Sequence, residues 1–249
     1  MIDFFSKLEI PDSCYLGKRI FKKLFYENTK LNATDKNAFV NDIEEIEWAY
    51  TLKPETINIQ RYEDDEHEYL EVAILQVILK ENLRYKRIAE IIQRAIPYPV
   101  VIIFRHDLSI ALNLAFKRIN RADQNKIMVK EFHHTDWIDL KNPLAHEIKF
   151  LEKLAIKSFS YNNFYEWYSD FLQRVVALNC AQISGNFELN HEEPGIDRIA
   201  ELEQIYNLEQ KQTELRSALK KETQLSKKVD LNMQIKKTTQ QINEHKSKI

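Results

Sequence analysis

The sequence predicts an α/β (α+β) fold: a mixed, largely antiparallel sheet of about five strands with helices packed on it, followed by a C-terminal helical or coiled-coil tail. Three observations carry this. Residues 100–104, Val-Val-Ile-Ile-Phe, form an unbroken and largely β-branched apolar run introduced by Pro97 and Pro99, as a strand buried on both faces requires. Residues 83–96 place Leu83, Ile88, Ile91, Ile92 and Ala95 on one side and Arg84, Lys86, Arg87 and Arg94 elsewhere, the pattern of a helix lying on a sheet. Beyond residue 195 proline and glycine vanish, Tyr206 is the sole aromatic residue, and Lys, Glu and Gln dominate.

Taken in order, residues 1–33 mix apolar side chains with the basic cluster Lys18, Arg19, Lys22 and Lys23 and read as a solvated edge segment. Thr34 is placed to cap a helix, with Asp35 at the positive end of its dipole and Phe39, Ile43 and Ile46 at helical spacing. Residues 45–52 switch to period two, with Trp48, Tyr50 and Leu52 on one face, and Lys53-Pro54 ends that strand. After the charged loop 61–68, residues 69–80 are apolar on both faces and form a second strand. Pro97 stops the helix that follows. Residues 100–104, 108–119 and 127–132 then read as three antiparallel strands, joined by Arg105-His106-Asp107 and by the loop 120–125. The middle one sets Ile110, Leu112, Leu114 and Phe116 against Asn113, Lys117 and two alanines, as a half-buried strand does. Asn142-Pro143 starts a helix with Leu144, Ile148, Leu151 and Ala155 on one face, and an Asn163-x-x-Glu166 box opens another over 163–180.

These elements divide the chain into an α/β domain over 1–140, a helical extension over 141–183, a linker over 184–195 and a tail over 196–249. In the tail, apolar residues recur at Ile205, Leu208, Leu215 and Leu219, then Leu225, Val229 and Met233, and finally Ile235, Ile242 and Ile249. The phase slips near 222–226 and again near Met233, so the helix either stutters or folds back as a hairpin. A stripe this narrow cannot bury itself. It needs its own second half, a second copy of the chain, or another protein.

Composition excludes several classes. The chain has 249 residues, 44% of them hydrophobic, enough for a sizeable core. Its 36 basic residues nearly cancel its 38 acidic ones, so any nucleic-acid contact is a local patch. Only Gly17, Gly185 and Gly195 occur, too few for a phosphate-cradling loop or a dinucleotide turn. Cys14 and Cys180 stand far apart with no Cys-x-x-Cys partner, which argues against a disulfide framework or thiolate metal site and for a reducing cytoplasm. No apolar segment reaches signal-peptide or membrane-helix length at the N-terminus or elsewhere, so no membrane partner is expected.

Two sets of residues offer contacts with phosphate: Lys22 and Lys23 near the N-terminus, and Arg84 and Arg87 together with Lys117, Arg118 and Arg121. A metal-dependent nuclease would have to draw on Glu71, His133, His134 and Asp136, without the lysine that such a site needs after its second carboxylate. His133 and His134 point to opposite faces of a strand and cannot chelate one ion as a pair. No catalytic set, metal site or cofactor is predicted. The tail residues expected to meet a partner are Leu208, Leu215, Leu219, Val229, Ile235 and Ile242.

Three groups of segments resemble one family when taken together. They are Lys22-Lys-Leu-Phe-Tyr-Glu-Asn28 with Trp48-Ala-Tyr and Lys53-Pro-Glu-Thr-Ile-Asn58; Ile96-Pro-Tyr-Pro-Val with Lys117-Arg-Ile-Asn120 and Thr135-Asp-Trp137; and Val229-Asp-Leu-Asn-Met233. Over nearly its whole length the chain resembles a bacterial domain-of-unknown-function family whose members are encoded beside DNA methyltransferase and helicase genes of restriction or phage-defence type. The resemblance implies an accessory, non-catalytic subunit of such a system, with a helicase or DNA methyltransferase of the same locus as partner, DNA as a further contact, and self-association through the tail. It carries over no catalytic residue. A divergent nuclease and a structural adaptor that touches no nucleic acid are the alternatives.

Overall fold

The computed structural model describes residues 4–27, 31–119, 127–189 and 197–249. The chain forms two compact units, Met1–Val175 and Val176–Ile249. In the first, the elements run α1 (Phe4–Leu8), β1 (Tyr15–Arg19), α2 (Lys23–Glu27), α3 (Ala33–Asn41), β2 (Ile43–Leu52), α4 (Pro54–Ile57), β3 (Tyr62–Glu63), β4 (Glu68–Tyr69) and β5 (Val72–Leu79). They continue with α5 (Tyr85–Ala95), β6 (Val100–His106), β7 (Ser109–Ile119), β8 (Ile127–His134), β9 (Ile138–Asp139), α6 (Ala145–Glu152) and α7 (Phe164–Ser184), which crosses into the second unit.

The mixed, mostly antiparallel sheet has the order β1-β2-β5-β6-β7-β8, with β9 pairing β7 and β3-β4 forming a separate hairpin. Among the described strands only β5 and β6 pair in parallel, and α5 makes the crossover between them. One face of β5 (Ala73, Leu75, Val77, Leu79) joins Val100, Ile102 and Phe104 of β6 in a core closed by Ile88, Ala89, Ile91 and Ile92 of α5 and Phe39 of α3. Both faces of β5 and β6 are buried, as their unbroken apolar runs predict.

The chain departs locally from its sequence pattern at several elements. The α3 cap is Asn32, whose Oδ1 accepts the Asp35 N–H at 2.8 Å, and not Thr34. Ile43 and Ile46 lie on β2, where a bulge leaves Ala49 outside the pairing between Trp48↔Leu75 and Tyr50↔Ile74. Period two fails there, and Ile43, Ile46, Ala49 and Leu52, at intervals of three, are the buried residues. Leu83 is 88% exposed and precedes α5, while Tyr69 belongs to β4 rather than to β5. Leu151 is buried as expected, but Leu144 and Ile148 are exposed, and Phe150 and Leu154 are buried in their place. β7 is buried on both faces from Ile110 to Ala115, because its small residues lie under α5. Strands β1, β3, β4 and β9 carry no pattern that marks them in the sequence; β1 is exposed throughout, and Gly17 adopts φ +59° where the Tyr15 ring fills the space of a side chain.

The expected box opens α7: the Glu166 N–H donates to Asn163 Oδ1 at 2.9 Å and the Asn163 amide donates to Glu166 at 3.0 Å. Five residues after Asn163, Tyr168 is fully enclosed, and its hydroxyl accepts the Ala115 N–H at 2.9 Å and donates toward the Val100 carbonyl at 2.9 Å. Direct β6–β7 pairing runs to Ile102↔Asn113, so this hydroxyl bridges the two strands where their ladder ends.

In the second unit, α7 ends at Ser184 with Gly185 at φ +80°, inside the predicted linker, of which 190–195 lie outside the described residues. The tail is two helices, α8 (Arg198–Lys221) and α9 (Leu225–Lys246). They pack antiparallel, with Gln212 bonded to Thr239 and Glu201 to His245. The first phase slip is therefore the turn, where the Glu222 carboxylate accepts the Thr223 and Gln224 N–H groups. Asp197 caps α8 by accepting from Ile199 and Ala200.

Tyr168→Phe should lower stability by about 2 kcal/mol, since a buried N–H loses its acceptor. Urea unfolding measures the difference, and a change within a few tenths of a kcal/mol would show that the bridge is dispensable.

Candidate interaction surfaces

The cations predicted to touch phosphate are mostly engaged inside the α/β unit. Arg84 holds Asp42 through two bonds of 2.6 Å, and Arg87 holds Asp35 through bonds of 2.9 and 2.7 Å while also reaching Glu90 at 2.7 Å. Asp35 and Asp42 are almost fully buried, so each arginine acts first as the counter-charge of an enclosed carboxylate. The Arg87 hydrogen bond keeps the Asp35 carboxyl below the usual carboxylate range against the opposing effect of burial. Lys22 donates to the carbonyls of Ile43 at 2.8 Å and Val40 at 3.2 Å, and burial is the main cause of its lowered pKa. Lys23 is exposed.

Lys117 does not converge with Arg84 and Arg87. Its side chain is enclosed at the other end of α5, with Nζ donating to the carbonyls of Ile96 and Tyr98 at 2.6 Å each. The C-terminal end of α5 offers partial negative charge to that ammonium, yet burial still drives its pKa well below the ordinary lysine value. Arg118 pairs with Glu66 at 3.0 Å. Arg121 lies outside the described residues.

The residues considered for a nuclease are dispersed. His134 and His133 occupy adjacent β8 positions opposite Asn113 and Leu114 of β7, and so face opposite sides of the sheet. Burial lowers the His134 pKa to about 4, with Lys86 adding to the effect, so this imidazole is neutral near pH 7. Asp136 lies 3.7 Å from Lys86. Glu71 precedes β5, three strand spacings or about 14 Å across the sheet from β8, and lies 3.5 Å from Lys53. No group of three metal-ligating side chains occurs among the described residues.

Glu71 instead borders a cleft of about 600 Å³ lined by Lys53, Pro54, Glu55, Arg61, Glu68, Leu70, Pro97 and Tyr98. Sequence spacing gave no sign of it, because its walls come from four separate segments. Two of its charges are tied in the Lys53–Glu71 pair and two in Arg61–Glu55 at 3.3 Å. Burial and then Glu71 push the Tyr98 hydroxyl upward in pKa. The lining has no serine, cysteine or histidine, so its proton-carrying groups are carboxylates, cations and this phenol.

In the hairpin, the six residues expected to meet a partner divide by face. Ile242 is buried, and Leu208, Leu215, Leu219 and Ile235 are half-buried on the sides that carry the Gln212–Thr239 and Glu201–His245 contacts. They form the seam between the two helices. Val229 alone of the six is exposed, at 50%, on the outer face of α9 together with Leu225 at 78% and Met233 at 65%. The second phase slip marks this change of face. Among the described residues no helix is long and apolar enough to cross a membrane.

Two pH-dependent outcomes follow from the enclosed charges. Arg87→Ala should destabilise the fold by about 2 kcal/mol at neutral pH, and the gap from the native chain should close as pH falls below about 4 through the lowered Asp35 value, because protonated Asp35 no longer needs its partner. Denaturant titrations at pH 7 and pH 3 test this, and a gap that is constant with pH would contradict it. Lys117 behaves oppositely: the folded chain releases its proton at a lower pH than the unfolded chain does, so folding is favoured as pH rises toward about 10. The stability of the native chain relative to Lys117→Met should therefore grow with pH between 7 and 10, which thermal unfolding across that range measures.

No curated protein and no solved structure matches the chain. A family profile described as a domain of unknown function (DUF4391) matches residues 8–242. With that span covering almost the whole sequence, the chain belongs to the DUF4391 family.

Proposed function

We propose that this chain is an accessory, non-catalytic subunit of a bacterial anti-phage defence or restriction-type system, in which the α/β unit is a scaffold and the hairpin is the contact element. Its partner is a helicase or DNA methyltransferase of the same locus, and the likeness of its segments to a family encoded beside such genes supports that assignment. The mode of action rests on how charge is distributed. Arg84, Arg87, Arg118 and Lys117 are held by carboxylates or carbonyls of the α/β unit itself, which favours protein contact over DNA contact there. In the hairpin, Arg216, Lys220, Lys221, Lys227, Lys228, Lys236 and Lys237 form no ion pair among the described residues.

The tagged full-length chain, expressed from its own locus, should co-purify with the helicase or methyltransferase encoded there. Duplex DNA should bind the chain alone only weakly, with affinity falling steeply between about 50 and 200 mM salt. Cleavage or modification of DNA by the purified chain with magnesium would overturn the non-catalytic assignment, and co-purification with neither enzyme would overturn the partner.

A further inference from the structure

The charge of the hairpin is segregated along its length. Residues 216–237, which span the turn, carry seven cations against Glu222 and Asp230, a net charge of +5. The remainder, 197–215 with 238–249, carries four cations against six carboxylates, a net charge of −2. At this base the charges satisfy one another: Glu201 binds His245 at 2.6 Å and Lys248 at 3.0 Å, and Glu209 binds Lys246 at 2.7 Å. Leu202, Ile205 and Ile242 are buried there, whereas no residue of the described hairpin between Tyr206 and Lys237 is fully buried.

Leu225, Val229 and Met233 follow one another at intervals of four, which on a helix makes a continuous ridge of the kind that seats in the groove of a second helix. They turn away from α8, since Leu231, Ile235 and Ile242 take the inner face. Lys236 continues the ridge by one turn, and Lys237 and Lys228 flank it. We infer that the ridge at the hairpin tip docks an acidic amphipathic helix of a partner protein, whose apolar stripe covers Leu225, Val229 and Met233 while its carboxylates meet the surrounding lysines. A second copy of the chain is disfavoured, because a symmetric contact through this ridge would set lysine against lysine. Phosphate backbones alone would leave three aliphatic side chains uncovered, and the ridge lacks the aromatic residues that help anchor surface helices in membranes.

This inference rests on the hairpin being the contact element, and it is tested separately from the co-purification. The probe is a fluorescein-labelled synthetic helix of about 20 residues with leucines at three- and four-residue spacing and glutamates on both flanks, titrated by anisotropy against the full-length chain. Saturable binding is expected. It should weaken at least about tenfold for a scrambled peptide of the same composition, for Leu225→Gln with Met233→Gln, and for Lys236→Glu with Lys237→Glu, each chain variant keeping the native circular dichroism. The charge pair keeps the test decisive if the apolar pair fails to fold. Equal binding of the scrambled or a lysine-flanked peptide, or no binding up to about 1 mM, overturns the inference. So does a dimer of the native chain, or binding to duplex DNA or phosphatidylserine vesicles, that is lost in the Leu225→Gln and Met233→Gln variant. Failure to co-purify with the locus proteins would remove the proposed partner and leave this titration valid, while a failed titration would leave the co-purification standing.

Discussion

Burying β5 and β6 on both faces is the constraint from which the α/β unit follows. Two adjacent strands without a polar side force the chain to supply a layer above and below them. Because they run parallel, the connection between them must cross the sheet, and α5 is that crossover and the upper layer in one element. Its apolar stripe then requires small residues beneath it on β7, which Ala111 and Asn113 provide. Antiparallel strands on each side extend the sheet to a short exposed strand, β1, whose bulge at Gly17 and charges at Lys18 and Arg19 discourage further pairing.

Laying a helix over strand ends also creates polar groups with nowhere to go. Gln93 of α5 answers one set by donating to Val100 and to Asn113 at 3.0 Å each. Lys117 answers another by capping the carbonyls of Ile96 and Tyr98, where α5 ends. The same logic explains Arg84 and Arg87, which neutralise Asp42 and Asp35 where α3 meets α5. Residues that look like a basic patch in one dimension thus become internal fasteners in three. Their cost is desolvation, which an engaged guanidinium or ammonium offsets only while its partners stay in place.

This explains which features were legible. Unbroken apolar runs and 3.6-residue stripes located β5, α5, β6 and α7 because burial acts on every residue of such elements. Edge strand β1 has no pattern in the sequence because it is exposed throughout, and the period-two pattern of β2 breaks because Ala49 bulges out of the ladder. Cap choice between Asn32 and Thr34 depended on a difference of two residues that spacing does not resolve. The cleft beside Glu71 and the partners of Lys117 are long-range juxtapositions, invisible until the sheet sets Lys53, Glu71 and Tyr98 side by side. In the tail, phase slips announced a turn and a change of face, yet the apolar spacing alone did not separate the seam residues from the outward ridge.

That separation carries the physics of the hairpin. Two helices can share only one seam, so each keeps most of its surface in water, and stability must come from a short interface. At the base, buried Leu202, Ile205 and Ile242 and complementary charges supply it. At the tip, lysines on both helices crowd the turn at Lys220, Lys221, Lys227 and Lys228, and their repulsion opposes the half-buried leucines that hold the helices together. A sequence under pressure only to fold would mix acidic residues among them, as the base does. Concentrating the positive charge around an uncovered ridge instead lowers the stability of the isolated tip, and an acidic helix laid along that ridge would reverse the loss by screening the lysines and covering Leu225, Val229 and Met233 at the same time.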